Sequence, residues 1–526
     1  MEVVTVALIA VIISSILYLL FGSSGRKFQY WEKKKVPYIK PVPIFGNFSE
    51  YILQQKFIGE VVKEICQKFP NEPLIGAYYG TEPTLIVQDP ELIKLVMTKD
   101  FYYFNGREVS DYSHRELFSR NLFATHGDQW KVLRQNLTPL FSSAKMKNMF
   151  HLIGKCSLVF EKVLDKETQK GDEIEVRALL AAYTMDCIGS CVFGVDTNVM
   201  EKKENNPFKN VGDVIFQSNK LRALKLVVRS IWPAIFFGLG FNTQPAEVKN
   251  FFTNLMTGIF SARQYTPTNR NDFVDLVLKL KNNKTMVGDS FNHMKGESAA
   301  KVTLDVDDEL LIAQCFLFFA AGYETSATTL NYTLYELAKN PEAQEKALAE
   351  VDDYLRRNDN TLKYECVAET PYLEACTNEA LRLYPVLAIP TREVMDDYTF
   401  PSGLKVEKGL RIHLPAYHLQ RSPEYFPDPE KFQPERFLPE NKQNIRQYTY
   451  FPFGDGPRVC IGIRFARMQM AAGLITLLKK YRVELAPGMK REVVFQPTSV
   501  VTQPIGGIRL KFVERENWEQ RLLKSS

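Results

Sequence analysis

The chain has 526 residues, of which 45% are hydrophobic and 24% charged, with a formal net charge of +5. That balance is ordinary for a globular protein and leaves room for a large core. No dense Lys/Arg tract is present, which argues against nucleic-acid binding. The 36 phenylalanines point to aromatic packing or an aromatic-lined pocket.

The eight cysteines are Cys66, Cys156, Cys187, Cys191, Cys315, Cys366, Cys376 and Cys460. They are scattered, unlike a secreted disulfide framework. Cys187 and Cys191 are four apart on a predicted helix, but no further metal ligand lies near them in sequence. Buried, reduced thiols fit better.

Val3 to Phe21 is an apolar run of about nineteen residues, close to the length needed to cross a bilayer as a helix. Only Glu2 is charged before it, and Arg26, Lys27, Lys33, Lys34 and Lys35 follow it. A membrane anchor over 1–22, with the rest cytosolic, is the expectation. A cleaved signal peptide fits less well, because no basic segment precedes the run. Pro37, Pro41 and Pro43 suggest a stiff, basic and Pro-rich linker over 23–47, which leaves 48–526 as the catalytic domain.

Within that domain, Leu74–Tyr79 and Thr84–Val87 read as strands around Gly80, and Asp89-Pro90 opens a short helix. From about Asp128 to Lys339 the pattern is mainly helical, with polar breaks over 201–206 and 282–298. The strongest helix runs from about Asp305 to Lys339 and ends at Asn340-Pro341. Its middle, 315–322, is apolar on every face, while Asp307, Asp308, Glu309 and Glu324 leave too short a run to span a membrane. A buried central helix follows. Further helices reach Leu383, an irregular Pro-rich stretch runs from Pro385 to Pro452, a last helix begins near Ile461, and strands are expected over 493–513. No linker or internal repeat divides this body. One large, mainly α domain with small β-sheets is expected.

Residues 451–462 read FPFGDGPRVCIG. A thiolate at the end of a tight loop, before a helix, suits a flat macrocycle held close to backbone. Gly456 permits the turn and Gly462 a close approach. The helix N-terminus lowers the thiol pKa. Arg458 can pair with a propionate, and Phe453 can pack beside the ring. A structural cysteine after a glycine-rich turn is the alternative reading.

This stretch resembles the haem-binding loop of the cytochrome P-450 superfamily, a family of haem-thiolate enzymes. Other segments carry the resemblance over essentially the whole chain. Glu379-Ala380-Leu381-Arg382 resembles the family's E-x-x-R motif, with Arg436 of Pro434-Glu435-Arg436-Phe437 completing its network. Trp130 to Arg134 resembles the W-x-x-x-R helix. Ala321-Gly322-Tyr323-Glu324-Thr325-Ser326 resembles the family's oxygen-activation motif. Tyr323 departs from the Phe or His expected there.

The resemblance implies the cytochrome P-450 fold and haem b, with Cys460 as the axial iron ligand. Trp130, Arg134 and Arg392 would bind propionates, with Arg107 a further candidate. Gly322 would leave room for O₂, Thr325 would hydrogen-bond it and Glu324 would relay protons. One oxygen atom would be inserted into an apolar substrate. Electrons would come from NADPH through a separate NADPH–cytochrome reductase, since no nicotinamide fingerprint is present, sometimes helped by cytochrome b5.

Residues 137–147, 271–276 and 464–469 resemble insect microsomal members of family six, with Ala466 in place of a usual Gly. That resemblance implies an endoplasmic reticulum membrane protein that oxidises plant toxins or insecticides. A dedicated hormone or fatty-acid monooxygenase, a haem-thiolate isomerase or dehydratase that needs no O₂, and a non-catalytic haem-thiolate ligand binder are the alternatives. The last two would be expected to lack the Glu324–Thr325 pair. Substrate-contacting segments are expected at 104–123, 316–321, 386–389 and 499–502. The apolar stretch from Ile231 to Phe241 would dip into the membrane surface or pack between helices.

Overall fold

A computed structural model describes residues 27–107, 112, 115–171, 173–202, 204–216, 219–268, 272–292 and 300–524. The expected anchor at Val3–Phe21 lies outside the described residues.

Four small sheets flank a helical body. In chain order the strands are β1 Leu74–Tyr79, β2 Glu82–Val87, β3 Glu173–Glu175, β4 Thr285–Asp289, β5 Lys301–Asp305, β6 Thr391–Glu393, β7 Tyr398–Thr399, β8 Lys405–Val406, β9 Arg411–His413, β10 Tyr481–Leu485 and β11 Arg509–Glu514. The largest sheet has the order β1-β2-β9-β6. Its first pair is antiparallel, with Leu74 opposite Val87 and Tyr79 opposite Glu82. β2 and β9 run parallel. The helices that matter below are α1 Gly127–Leu137, α2 Ser143–Lys170, α3 Val176–Ile188, α4 Lys220–Ile231, α5 Pro233–Gly238, α6 Ala246–Ala262, α7 Asp308–Lys339, α8 Pro371–Leu383 and α9 Ile463–Leu478.

Every residue of β1 is buried, so both faces of that strand are covered. Trp31 covers one of them. A Cβ at Gly76 would lie 2.5 Å from the Trp31 ring, so glycine lets the indole rest on the strand, where its Nε1–H donates to Ala77 O at 2.8 Å. The stretch read as a stiff, basic and Pro-rich linker over 23–47 is thus held, among its described residues, against the first sheet. An aromatic side chain in a basic, Pro-rich segment is its one sequence signal.

The central helix α7 has 32 residues, about 48 Å at the helical rise. Asp307 caps it by accepting from Leu310 N at 2.7 Å. It starts later than the expected Asp305 because 301–305 pairs with β4, Thr285 opposite Asp305. This hairpin fills the second polar break and docks on α1, where Gln135 accepts from Asp289 N at 2.8 Å. Burial runs along α7 on all sides. Two described helical stretches are long and apolar enough to cross a membrane, Val176–Phe193 and Asp308–Lys339, and both are mostly buried inside the body. They form its core.

At the C-terminus, only Arg509–Glu514 of the expected 493–513 strands joins a ladder. It pairs with β10 and β3. Residues 495 and 504 make a single bridge, and the intervening loop turns inward instead.

Candidate active site

Two segments face each other across the body: the loop before α9 and the middle of α7. The loop closes on itself, with Cys460 N donating to Phe453 O at 2.8 Å. Gly454 and Gly456 have φ of +71° and +65°, the left-handed region glycine adopts without strain. At 456 there is no alternative, because a Cβ would sit 2.1 Å from Met97 O. The turn is thereby fixed against the short helical segment at 95–99. Gly462 then caps α9.

Cys460 is exposed, unlike the other seven cysteines, yet burial is the largest influence on its thiol and pushes its pKa up. Both hold if the side chain faces a space enclosed by protein. Ala321 behaves the same way, being exposed in the middle of an otherwise buried helix. Against burial act the Gly462 N–H, which donates to the sulfur, and the charges of Arg134 and Arg107. Deprotonation of Cys460 is thus favoured by a helix N-terminus and two guanidinium groups.

Arginines converge beside this loop. Burial lowers the pKa of Arg458, and the like charges of Arg107, Arg392 and Arg134 lower it further. Its guanidinium lies 4.8 Å from the Trp130 ring. It donates to Phe123 O at 3.1 Å and to Thr125 O. Arg392 is buried, its pKa pushed down to about 10 by burial, and it donates to Thr391 O at 2.8 Å. Arg134 on α1 feels Cys460 and no carboxylate. Among the described residues, Arg134, Arg392 and Arg458 form no salt bridge, and Nε of both Arg392 and Arg458 is buried without a partner. Buried charge of one sign without counter-charge is costly. A flat, dianionic group lying against Cys460 would relieve it, so the residues present fit haem and its two propionates.

The structure makes three corrections to the expected site. Gly322 faces α3, where a Cβ would lie 2.4 Å from Ile188 Cδ1. It allows close packing of α7 on α3, and Ala321 is the residue turned to the enclosed space. Phe104 packs with Tyr398 and Phe400 in an outer aromatic cluster and does not line the site. Phe123 lies under Arg107, 3.5 Å from guanidinium to ring centroid, on the arginine side rather than in an apolar pocket. Tyr323, the unusual residue of its motif, donates to Gly212 O at 2.8 Å, which satisfies its buried hydroxyl.

Glu324 and Thr325 are oriented differently. Thr325 Oγ1 donates to Ala321 O at 2.7 Å, the backbone-bonded state open to any helical Thr. Glu324 is buried, with Oε1 accepting from Arg177 Nη2 at 2.6 Å and Gln503 Nε2 at 2.8 Å. Its Oε2 has no partner among the described residues. Sequence reasoning missed Arg177 and Gln503. They come from the start of α3 and from the inward-turning C-terminal loop, and no local spacing links them to Glu324. Around the same space, Leu381, Val386 and Val501 form an apolar cluster with Phe216 and Phe453. Phe118 packs against Phe316 with ring centroids 4.2 Å apart and the planes tilted by 33°. Thr502 holds this loop to the 385–389 segment by donating to Pro385 O at 2.6 Å.

Behind the loop, Glu379 and Arg382 of α8 are fully buried and doubly bonded, both contacts at 2.7 Å. Arg382 also donates to Gln420 O and Pro429 O. Arg436 approaches Glu379 at 3.5 Å. This network pins 420–436 behind the Cys460 loop.

The sequence profile of the cytochrome P450 family matches residues 36–512. The chain is 37% identical to cytochrome P450 6B1 of Papilio polyxenes over 93% of its length and 96% of the relative's. It is 35% identical to cytochrome P450 6B2 of Helicoverpa armigera, over 96% of this chain and 98% of the other. To cytochrome P450 6k1 of Blattella germanica it is 34% identical, over 96% of each chain. The chain belongs to the cytochrome P450 family of haem-thiolate monooxygenases and resembles its insect family-six members.

Proposed function

We propose that the chain is a microsomal monooxygenase that oxidises lipophilic small molecules of the plant-toxin and insecticide kind, in which Cys460 would hold the haem iron. The observation that carries this reading is the cluster of buried, uncompensated arginines beside an accessible, electropositively flanked cysteine, facing an acid–alcohol pair on the central helix. Haem bound there supplies reductive activation of O₂ and delivery of one oxygen atom to substrate, the other leaving as water.

The chain's own residues supply the rest. Arg134, Arg392 and Arg458 would hold the propionates, and Gly462 N–H would moderate the charge on Cys460. Phe453, Val386 and Val501 keep the substrate side dry and apolar. Arg177 and Gln503 hold Glu324 in place by donating to Oε1, and Oε2, without a partner among the described residues, is the atom that takes up and releases a proton. Thr325 carries that proton onward once its hydroxyl releases Ala321 O. Arg177 reaches the surface, its side chain 32% exposed against 1% for Glu324, so the acid is linked to solvent.

The reductase docks on the face behind Cys460. A groove of about 490 Å³ there is lined by Arg134, Gln135 and Arg464, a positive surface that suits an acidic partner. Exposed Ile235, Leu239 and Phe241 on and after α5 form the part of the body that meets the endoplasmic reticulum membrane, to which residues 1–22 anchor it. The test is depletion of a panel of apolar plant compounds, insecticides and fatty acids by the purified full chain with NADPH–cytochrome reductase and NADPH, with and without cytochrome b5. Turnover of several unrelated apolar compounds is expected. Turnover of one hormone precursor or fatty acid alone would replace this reading with a biosynthetic one.

A further inference from the structure

Glu324 Oε1 has two donors of different kinds. Arg177 belongs to α3, the helix packed against α7 at Gly322, and donates from Nη2 at 2.6 Å and from Nε at 3.2 Å. Gln503 belongs to the inward-turning C-terminal loop and donates from Nε2 at 2.8 Å. The first donor is fixed to the helix that bears the acid, and the second goes where the loop goes.

That loop is a closed turn. Ile505 N donates to Val494 O at 2.7 Å and Gln496 N to Gln503 O at 2.8 Å, with the bridge between Phe495 and Pro504 lying between them. Near its tip Ser499 Oγ donates to Gln503 Oε1 at 3.1 Å. Both ends of the Gln503 amide are therefore engaged, one by the turn and one by the acid. Val501, two residues from Ser499 and from Gln503, packs in the apolar cluster with Val386 and Phe453. Thr502 N joins the turn to the same wall by donating to Val386 O at 3.0 Å.

One short segment thus links the apolar wall to the acid. A ligand pressing on Val386 or Val501 displaces the turn as a unit, because close-packed contacts pass a displacement on rather than absorb it. Gln503 shifts with the turn and Arg177 does not. Each NADPH divides between two outcomes: O₂ is reduced to hydrogen peroxide, or one oxygen atom enters the substrate and the other leaves as water. Misplacing a group in the reaction path by ~1 Å costs about a hundredfold in rate, so this division is sensitive to small shifts of Glu324.

We infer that Gln503 makes the acid answer to the substrate: a ligand that displaces the 496–503 turn strips Glu324 of its movable donor, so the ligand's size decides how much of the reducing power ends as peroxide. This rests on the reading of Cys460 as the haem ligand and of Glu324 as the proton carrier. Gln503 is a positioning residue that acts through Glu324, with Ser499 setting the direction of its amide. It governs the efficiency of oxygen transfer and leaves ligand affinity nearly unchanged.

The test is the ratio of peroxide formed to substrate oxidised by the full-length holoprotein with NADPH–cytochrome reductase and NADPH, over 7-alkoxycoumarins from methoxy to pentoxy, with dissociation constants read from the haem absorption shift. In the parent the ratio is expected to climb along the series. Gln503→Met keeps an unbranched side chain of similar size without the N–H donor. It is expected to raise the ratio for 7-methoxycoumarin about tenfold, the change that corresponds to ~1.4 kcal/mol, and to abolish the climb, with dissociation constants near the parent's. Ser499→Ala is expected to act in the same direction by less, and it decides the matter alone should Gln503→Met fail to fold. In a Glu324→Gln background Gln503→Met is expected to add nothing. A flat ratio in the parent, a climb that survives in the folded variants, or a further rise in the Glu324→Gln background overturns the inference. A parent without the thiolate band of the reduced, CO-bound form would instead overturn the haem reading, and a Glu324→Gln variant with the parent's ratio would overturn the reading of the acid.

Discussion

Glu324 and Thr325 are neighbours in sequence, yet one is locked by partners from distant parts of the chain and the other is bonded to its own helix. The proposed division of labour follows: the acid is held in place and the alcohol is free to turn. Thr325→Ala is expected to keep haem and ligand binding but to divert reducing equivalents to peroxide. Losing one ordered hydrogen bond of ~1–3 kcal/mol slows productive turnover by roughly ten- to a hundredfold. Peroxide yield per NADPH measures it, and equal coupling in variant and parent removes Thr325 from proton delivery. The motif itself was legible in sequence. Arg177 and Gln503 were not, because 147 and 179 residues separate them from Glu324 and only the tertiary fold joins them.

His413, at the end of β9, gives a second prediction at this scale. Burial and then Arg411 push its pKa from the ordinary 6.5 down to about 3, so the folded state holds it neutral while the unfolded state protonates it below about 6.5. Between those values the unfolded chain binds the extra proton, and stability falls as pH falls. His413→Phe fits a site walled by Phe48 and Tyr79. It is expected to remove a slope of up to about 1.4 kcal/mol per pH unit below pH 6.5. Urea midpoints of parent and variant at pH 7 and pH 5 check this, and parallel losses in both would contradict it.

At the scale of elements, the close packing of α7 on α3 depends on a glycine whose reason sequence alone misassigned. The motif placed Gly322 correctly, but a sequence does not say which way a missing side chain would point. Gly322→Ala is expected to destabilise the fold by about 1–3 kcal/mol through overpacking against Ile188, and Ile188→Ala in the same chain is expected to recover part of that. A double-mutant cycle on urea midpoints reads the coupling, and strictly additive effects would contradict the contact. Local signals elsewhere were plain. Asp89-Pro90 and Asn340-Pro341 marked helix ends, and the segments 74–79 and 84–87 around Gly80 marked the first hairpin. The β4–β5 hairpin escaped notice, since it is short and polar and owes its shape to neighbours, whereas 499–502 was expected at the pocket although the stretch around it was read as strand.

Across the whole molecule, the Glu379–Arg382 pair joins α8 to the 420–436 stretch behind the Cys460 loop. Arg382→Ala strips buried Glu379 of its doubly bonded partner and leaves it Arg436 at 3.5 Å, a change that costs about 3–5 kcal/mol, and is expected to abolish stable haem incorporation. A haem-to-protein ratio matching the parent's would contradict that structural role. If the basic residues after Phe21 orient the body to the cytosol, as proposed, protease added outside intact microsomes is expected to digest it, and protection would reverse the orientation.

The most direct measurement is the spectrum of the reduced, CO-bound full-length protein beside that of Cys460→His. Ligation by Cys460 requires the parent to absorb at the long-wavelength position characteristic of a thiolate-bound haem. The variant, if it keeps haem, must move to the imidazole-ligated position. A parent lacking the thiolate band, or a Cys460→His variant that retains it, would contradict ligation by this cysteine.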